Sequence, residues 1–153
     1  MANTYTQLYI HFIFAVQNRL CLINKNWQAD LFKYISGIIN QHGHKLYSIN
    51  GMSDHLHTLI SMSPKQAPSD LKYHVKRCSS LWINQNKLSL GHFSWQAGFG
   101  GFSLSKSQLG DKIKYIENQM EHHKIVTFKE EYLQFLKEYD VTYDERYVFE
   151  QIE

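Results

Sequence analysis

Residues 44–61 read HKLYSINGMSDHLHTLIS, and this stretch decides the fold class. Its β-branched and aromatic residues predict two strands, over residues 44–51 and 55–61. The intervening residues Gly51-Met52-Ser53-Asp54 are typical of a tight turn. The two strands should therefore pair as an antiparallel hairpin.

Strand-like and helix-like segments alternate on both sides of this hairpin. Residues 7–16, QLYIHFIFAV, predict a strand that buries the face carrying Leu8, Ile10, Phe12 and Phe14, and a fourth strand falls within residues 93–104. Apolar residues at helical spacing predict helices at about residues 27–41, 68–86, 107–123 and 129–139. The order β-α-β-β-α-β-α-α predicts an α+β, ferredoxin-like (split βαβ) fold. Its antiparallel sheet carries two helices on one face, and its other face is open to a ligand or to further helices.

The length of 153 residues predicts a single domain over residues 1–153. We expect a core over about residues 5–126, followed by a C-terminal helix and an acidic tail over residues 127–153. The 43% hydrophobic and 20% charged residues are ordinary for a soluble protein, and the sequence contains neither a membrane-spanning run nor a signal-peptide pattern. We therefore expect a cytoplasmic protein in which Cys21 and Cys78 are reduced thiols.

Charge is distributed unevenly along the chain. The net charge is +2, yet residues 139–153 hold five acidic residues and one arginine, so the rest of the chain is basic. A basic body favours a polyanionic partner, although a solvated surface would have the same composition. Nine histidines supply candidate metal ligands, and some of the ten tyrosines and nine phenylalanines could stack on unpaired bases.

The third predicted strand carries two histidines two positions apart. Residues i and i+2 of a strand share a face, so His55 and His57 should present two imidazoles side by side while Leu56 points into the apolar layer. This arrangement can chelate a metal, but a surface strand can also carry two histidines that bind nothing. Asp54 is either a turn residue or a group that orients one imidazole.

The third predicted helix carries the candidate partners of this pair, within DKIKYIENQMEHH (residues 111–123). Tyr115 and Gln119 are neighbours on one face, because they lie one helical turn apart. Gln119 could supply a carbonyl oxygen to a metal, and Tyr115 would then lie beside the metal as a nucleophilic phenol. Ile113, Ile116 and Met120 should face the core, and His122 and His123 are interpreted as surface residues at the helix end rather than as ligands.

Taken together, these motifs resemble the small single-tyrosine transposases of the IS200/IS605 group, within the HUH endonuclease superfamily. The HUH motif corresponds to His55-Leu56-His57, within residues 50–57. The Tyr-x-x-x-Gln motif corresponds to Tyr115 and Gln119, followed by His122-His123. The aromatic and glycine-rich residues 95–103 and the closing residues 143–147 also match the pattern, in the right order.

The resemblance implies an HUH-type fold with an additional C-terminal helix that carries the tyrosine. It implies a transposase that cleaves and rejoins single-stranded DNA at insertion-element ends, by metal-assisted transesterification through a 5′-phosphotyrosine intermediate. His55, His57 and Gln119 would hold Mg²⁺ or Mn²⁺, and Tyr115 would attack. The expected partners are hairpin DNA and a second subunit that completes each site in trans, with residues 98–110 as a candidate glycine hinge. No nucleotide cofactor and no membrane are expected.

The second helix offers candidate contacts to the DNA backbone. Lys72, Lys76 and Arg77 lie off its apolar stripe, where they could bind phosphates or could form an ordinary solvated face.

Other functions remain open. A non-catalytic or domesticated protein of the same fold could bind single-stranded nucleic acid or hairpins, and residues 98–102 resemble the aromatic RNA-binding motif of RRM domains. Such a protein would need neither Tyr115 nor a metal. A replication initiator or relaxase-like nickase is a second alternative. A structural metal site is a third, and it would require a fourth protein ligand that the sequence pattern does not indicate.

Overall fold

The computed structural model describes residues 3–20 and 22–148. Cys21 and the last acidic residues of the predicted tail, Glu150 and Glu153, lie outside the described residues. Within that described part of the chain, none of the helices has the length and apolar character needed to cross a membrane.

Four antiparallel strands form one sheet, which confirms the split βαβ prediction. The strands are β1 (Tyr9–Ala15), β2 (Lys45–Met52), β3 (His55–Ser61) and β4 (Gly100–Leu104), in the order β2-β3-β1-β4. The predicted hairpin is β2–β3, and its turn is tighter than expected because only two residues separate the strands. Gly51 is required there, since a Cβ at this position would overlap the carbonyl oxygen of His55.

Two helices cover the first face of the sheet. They are α1 (Lys25–Gln41), which begins where the Asn24 side chain accepts a hydrogen bond from the Asn26 amide, and α2 (Pro68–Gln85), which begins at a proline. Gly43, at φ 84°, follows the end of α1 in a left-handed conformation that glycine adopts without strain. Their apolar stripes pack against one side of the sheet, in a core that includes Phe12, Phe14, Leu31, Ile35, Leu56 and Val75.

Three further helices cover the second face, as the fold plan allowed. They are α3 (Leu109–Glu117), α4 (Gln119–His122) and α5 (Phe128–Glu138). A second core forms there from Ile13, Ala15, Phe102, Phe128, Phe135 and Leu136. The central strand β1 is therefore buried on both faces, as its continuous apolar run YIHFIFA permits. Leu8, predicted to be buried, precedes the strand and is 42% exposed.

The predicted helix over residues 107–123 is interrupted at Asn118, which separates α3 from α4. The regular ladder ends with the Asn118 amide donating to Lys114 O and resumes with the His122 amide donating to Asn118 O. Two carbonyls in the gap between Lys114 O and Asn118 O are bound by another element. The side-chain amide of Asn50 donates to Ile116 O at 3.0 Å and to Glu117 O at 3.1 Å.

This interruption changes which residues face the sheet. Ile116 is fully buried as predicted, but Met120, one turn later, is 50% exposed and Gln119 is fully buried. The prediction that Met120 faces the core is wrong because it assumed one continuous helix. The break turns Gln119 inward instead.

Candidate metal and tyrosine site

The two histidines of β3 point to the second face of the sheet, as the strand period predicted. His55 is 1% exposed and His57 is fully buried, whereas Leu56 between them packs in the first-face core. They do not lie on a solvated surface. Two adjacent imidazoles are thus held in the interior, between the sheet and the helices of the second face.

Each imidazole is oriented by a partner at its Nδ1 atom. His55 Nδ1 donates to Asp54 Oδ1 at 2.7 Å, and His57 Nδ1 lies 2.7 Å from His11 Nε2. Asp54 is therefore more than a turn residue. Burial lowers the pKa of His57 to about 4, although the nearby Glu131 opposes this shift, and burial also lowers the pKa of His11. The rings of His57 and His11 are therefore neutral at pH 7, and the neutral form is the one in which an imidazole binds a metal.

A glutamate that the sequence analysis did not identify lies at the centre of the site. Glu131 belongs to α5 and is 4% exposed. Its Oε1 atom lies 2.9 Å from His57 Nε2, 3.3 Å from His123 Nε2 and 3.7 Å from His55 Nε2. Burial alone would raise its pKa, but the hydrogen bonds from His123 and His57 outweigh burial and hold the pKa well below its usual range.

The other carboxylate oxygen faces the predicted nucleophile. The Tyr115 hydroxyl donates to Glu131 Oε2, and His122 Nε2 lies 3.1 Å from the same atom. The Gln119 amide nitrogen also donates to it, at 3.3 Å. Burial, and then the hydrogen bond to Glu131 and its charge, raise the pKa of the Tyr115 phenol well above its usual value. Tyr115 therefore keeps its proton in this arrangement.

Four side chains could hold a divalent metal ion. One ligand atom from each of His55, His57, His123 and Glu131 lies within 4.8 Å of all the others. An ion with ligands at about 2.1 Å separates opposite donors by about 4.2 Å, so these residues fit such an ion with small adjustments. The set mixes imidazole with carboxylate, which suits a transition metal.

His123 differs from its predicted surface role. Its side chain is 7% exposed, and its Nε2 atom lies 2.9 Å from Gln119 Oε1. Its Nδ1 atom donates to Val126 O at 2.8 Å, which aims Nε2 into the cluster. Burial lowers the pKa of His123, but the hydrogen bond to Glu131 and its charge outweigh burial and raise it. His122 is less enclosed, with a side chain that is 26% exposed.

The structure brings together the four residues predicted for the site, and it does so within one chain. Gln119 Oε1 lies 3.2 Å from His55 Nε2, and the rings of Tyr115 and His57 are 6.2 Å apart between centroids. A cavity of about 500 Å³ opens beside Tyr115. Its charged lining residues are Lys112, Glu130, Glu131 and Glu138.

The candidate DNA-contacting residues of α2 lie elsewhere, on the helix that covers the first face. Lys72, Lys76 and Arg77 line a groove of about 470 Å³ beside the loop of residues 94–98. The Lys76 ammonium donates to Gln96 O at 2.6 Å and to Gly98 O, so it holds this loop to α2.

The candidate glycine hinge is partly regular structure. Gly100 and Gly101 lie in β4, paired with β1, and a Cβ at Gly100 would press against the Tyr132 side chain. Gly98, at φ 80°, is the glycine of this segment that needs a left-handed conformation.

The sequence does contain an indication that Glu131 is a buried, partnered residue. Phe128, Glu131 and Phe135 occupy positions i, i+3 and i+7 of α5, so the glutamate interrupts an apolar stripe that packs on the sheet. A charged residue at such a position is almost never fully buried without a partner. His11, inside the apolar run of β1, is a similar signal.

Comparisons with known proteins identify the family of this chain and support its fold. The family model described as "Transposase IS200 like" matches residues 4–119, so α5 and Glu131 lie beyond the matched residues. A candidate transposase from Deinococcus radiodurans has a similar solved structure, with a TM-score of 0.59 and 21% identity over 78% of this chain and 95% of that chain. A REP-associated tyrosine transposase bound to a REP hairpin also has a TM-score of 0.59, with 15% identity over 100% of this chain and 98% of that chain. At these identities, both structures support the fold. No curated protein matches the sequence at a significant level.

Proposed function

This chain belongs to the IS200-like transposase family, and we propose that it cleaves and rejoins single-stranded DNA at insertion-element ends through a 5′-phosphotyrosine intermediate at Tyr115. One observation carries the proposal. The Tyr115 phenol and the imidazoles of His55 and His57 converge on one buried carboxylate, beside a cavity that is open to a substrate. A protein that only binds hairpins, the main alternative, has no need of this arrangement.

The charges around the cavity favour a metal-dependent reaction. Its lining carries three glutamates against Lys112, so a DNA phosphate would be repelled unless a cation neutralised them. In the proposal, His55, His57 and Gln119 hold Mg²⁺ or Mn²⁺, as the family resemblance implies. When bound, such an ion supplies Lewis-acid polarisation of the scissile phosphate.

The reaction proposed for Tyr115 exchanges one phosphodiester bond for another. The phenol oxygen forms a bond to phosphorus, the bond from phosphorus to the 3′ oxygen breaks, and the phenol proton ends on the released 3′-OH. The reverse reaction, with the 3′-OH of another strand, rejoins DNA. Because the number of phosphodiester bonds is unchanged, no nucleotide cofactor is needed.

A covalent adduct is the direct test of this function. The protein would be incubated with Mn²⁺ and single-stranded DNA from the regions flanking its gene, labelled at either end, and separated on a denaturing gel. We expect an adduct with the 3′-labelled strand that is absent in Tyr115→Phe. The matched control, Tyr5→Phe, alters a tyrosine that is 89% exposed ahead of β1, and it should form the adduct normally. An adduct that persists in Tyr115→Phe would exclude Tyr115 as the nucleophile.

The proposed substrate is a hairpin next to the cleavage site. The REP-associated relative, which was solved bound to a REP hairpin, supports this class of DNA. Lys72 and Arg77 are the proposed backbone contacts. Lys76 is a weaker candidate, because its ammonium donates to loop carbonyls.

The resemblance implies a homodimer in which each subunit completes the site of the other. The contacts described above join these residues within one chain, so in the proposed dimer the partner's tyrosine helix would take the place of the chain's own. Mixing His57→Ala with Tyr115→Phe subunits distinguishes this assembly from a site completed within one chain. If each subunit completes the site of the other, mixed dimers should regain cleavage, because one of the two composite sites then holds an intact His57 and an intact Tyr115. A mixture that stays inactive would contradict such exchange between subunits.

A further inference from the structure

The strongest unassigned feature is the buried carboxylate of Glu131, which lies beyond the family match and has two distinct sides. Oε1 faces the histidines, at 2.9 Å from His57 Nε2 and 3.3 Å from His123 Nε2. Oε2 accepts the Tyr115 hydroxyl. One side chain from α5 therefore contacts both the candidate metal ligands and the candidate nucleophile.

We propose that Glu131 is a metal ligand through Oε1 and, through Oε2, the group that positions Tyr115 at the metal. This inference rests on the proposed function, and it adds a ligand that the family motifs do not include. It makes α5, rather than the tyrosine helix alone, part of the reaction centre.

The convergence of ligand atoms supports a cation at this place. The hydrogen bond between His55 Nδ1 and Asp54 directs the Nε2 atom of His55 into the cluster. That atom faces Gln119 Oε1 at 3.2 Å and Glu131 Oε1 at 3.7 Å, so three candidate ligand atoms lie close together in the interior. His57 and His123 also contact Glu131 Oε1, and a bound cation would take the place of the protons that they share with it.

Charge favours Glu131 over Gln119 as the main oxygen ligand. A divalent ion that is held only by neutral imidazoles and an amide would bring two uncompensated charges into the interior. The Glu131 carboxylate, with a side chain that is 2% exposed, removes one of them. Its Oε1 atom also contacts three histidines, whereas Gln119 Oε1 contacts His55 and His123.

The test measures Mn²⁺ affinity by calorimetry and by electron paramagnetic resonance, without DNA. We expect Glu131→Gln, which preserves the shape of the side chain, to weaken Mn²⁺ binding by at least about tenfold, and His57→Ala to do the same. Glu131→Asp should give an intermediate affinity. The control variant Asp30→Asn, which removes an exposed charge from α1 on the other face of the sheet, should bind as the wild type does.

The outcomes separate the two levels of the proposal. Wild-type affinity in His57→Ala, or no Mn²⁺ binding by the unaltered protein, would overturn the metal site itself and this inference with it. A loss in His57→Ala without a loss in Glu131→Gln would overturn the inference alone.

The positioning of Tyr115 has its own readout, which is the rate of adduct formation at saturating Mn²⁺. If Oε2 positions the phenol, Glu131→Gln stays at least about tenfold slower than wild type even when metal is saturating. A rate restored to that of wild type would overturn the positioning role. A rate faster than wild type would show instead that Glu131 restrains Tyr115, and would also overturn it.

Discussion

The break between α3 and α4 should depend on Asn50, which joins the tyrosine helix to the hairpin of the histidine pair. Asn50 lies opposite His57 in the β2–β3 ladder, and its side-chain amide donates to the carbonyls of Ile116 and Glu117. These carbonyls lie where the helical ladder is interrupted. Asn50→Ala removes one partly buried and one exposed hydrogen bond, at a cost of about 1–3 kcal/mol in total.

Both stability and cleavage should respond. At about 2–4 °C per kcal/mol for a domain of this size, Tm should fall by roughly 2–12 °C. A tyrosine helix displaced by about 1 Å should slow adduct formation by roughly 10–100-fold. The measurements are thermal unfolding followed by circular dichroism, and single-turnover adduct formation.

Asn50→Asp is the sharper comparison. It preserves the shape of the side chain but places a carboxylate, which accepts and does not donate, against two carbonyl oxygens. We expect the stability order wild type, then Asn50→Ala, then Asn50→Asp. An aspartate variant that is as stable as wild type would refute the assigned hydrogen bonds. Wild-type cleavage by the alanine variant would refute the positioning role.

Four further predictions follow from the same geometry. Leu56→Ala, in the first-face core, should cost about 2–5 kcal/mol in urea unfolding yet leave Mn²⁺ affinity of the folded protein unchanged. Gly51→Ala places a methyl group against the backbone of β3, which cannot yield, and should cost about 1–3 kcal/mol or more in the same assay. Chelation should abolish the adduct, and Mn²⁺ at a hundredfold excess over Kd should stabilise the wild type by about 2.7 kcal/mol while leaving the Tm of His57→Ala unchanged. Replacing Lys72 and Arg77 by alanine should lower the slope of log affinity against log salt by roughly 1.4–1.8 if each contacts one phosphate, and an unchanged slope would reject both contacts.

The sequence was most informative where a short-range period sets the geometry. The two-residue period of β3 places His55 and His57 on one face and Leu56 on the other, whatever lies around the strand. The hairpin, the four strands and the apolar stripes of α1 and α2 follow from equally local patterns. The fold class was therefore predicted correctly.

Local periodicity was misleading where a distant residue intervenes. The exposure of Met120 and the burial of Gln119 depend on the break at Asn118, and the carbonyls beside this break are bound by Asn50. No pattern within residues 107–123 indicates that interaction, because the donor, Asn50, belongs to strand β2, far away in the sequence.

The sequence by itself determined which side chains share a face of one element, because those relations span only a few residues. Only the tertiary structure decided which faces meet. The candidate metal centre combines His55 and His57 from β3 with Glu131 from α5 and with His123, the residue that follows α4. These elements come together because β1 buries both of its faces, so that α5 must pack on the second one. The glutamate that interrupts its apolar stripe is thereby carried into the interior, where the histidines, Tyr115 and Gln119 form hydrogen bonds with its carboxylate.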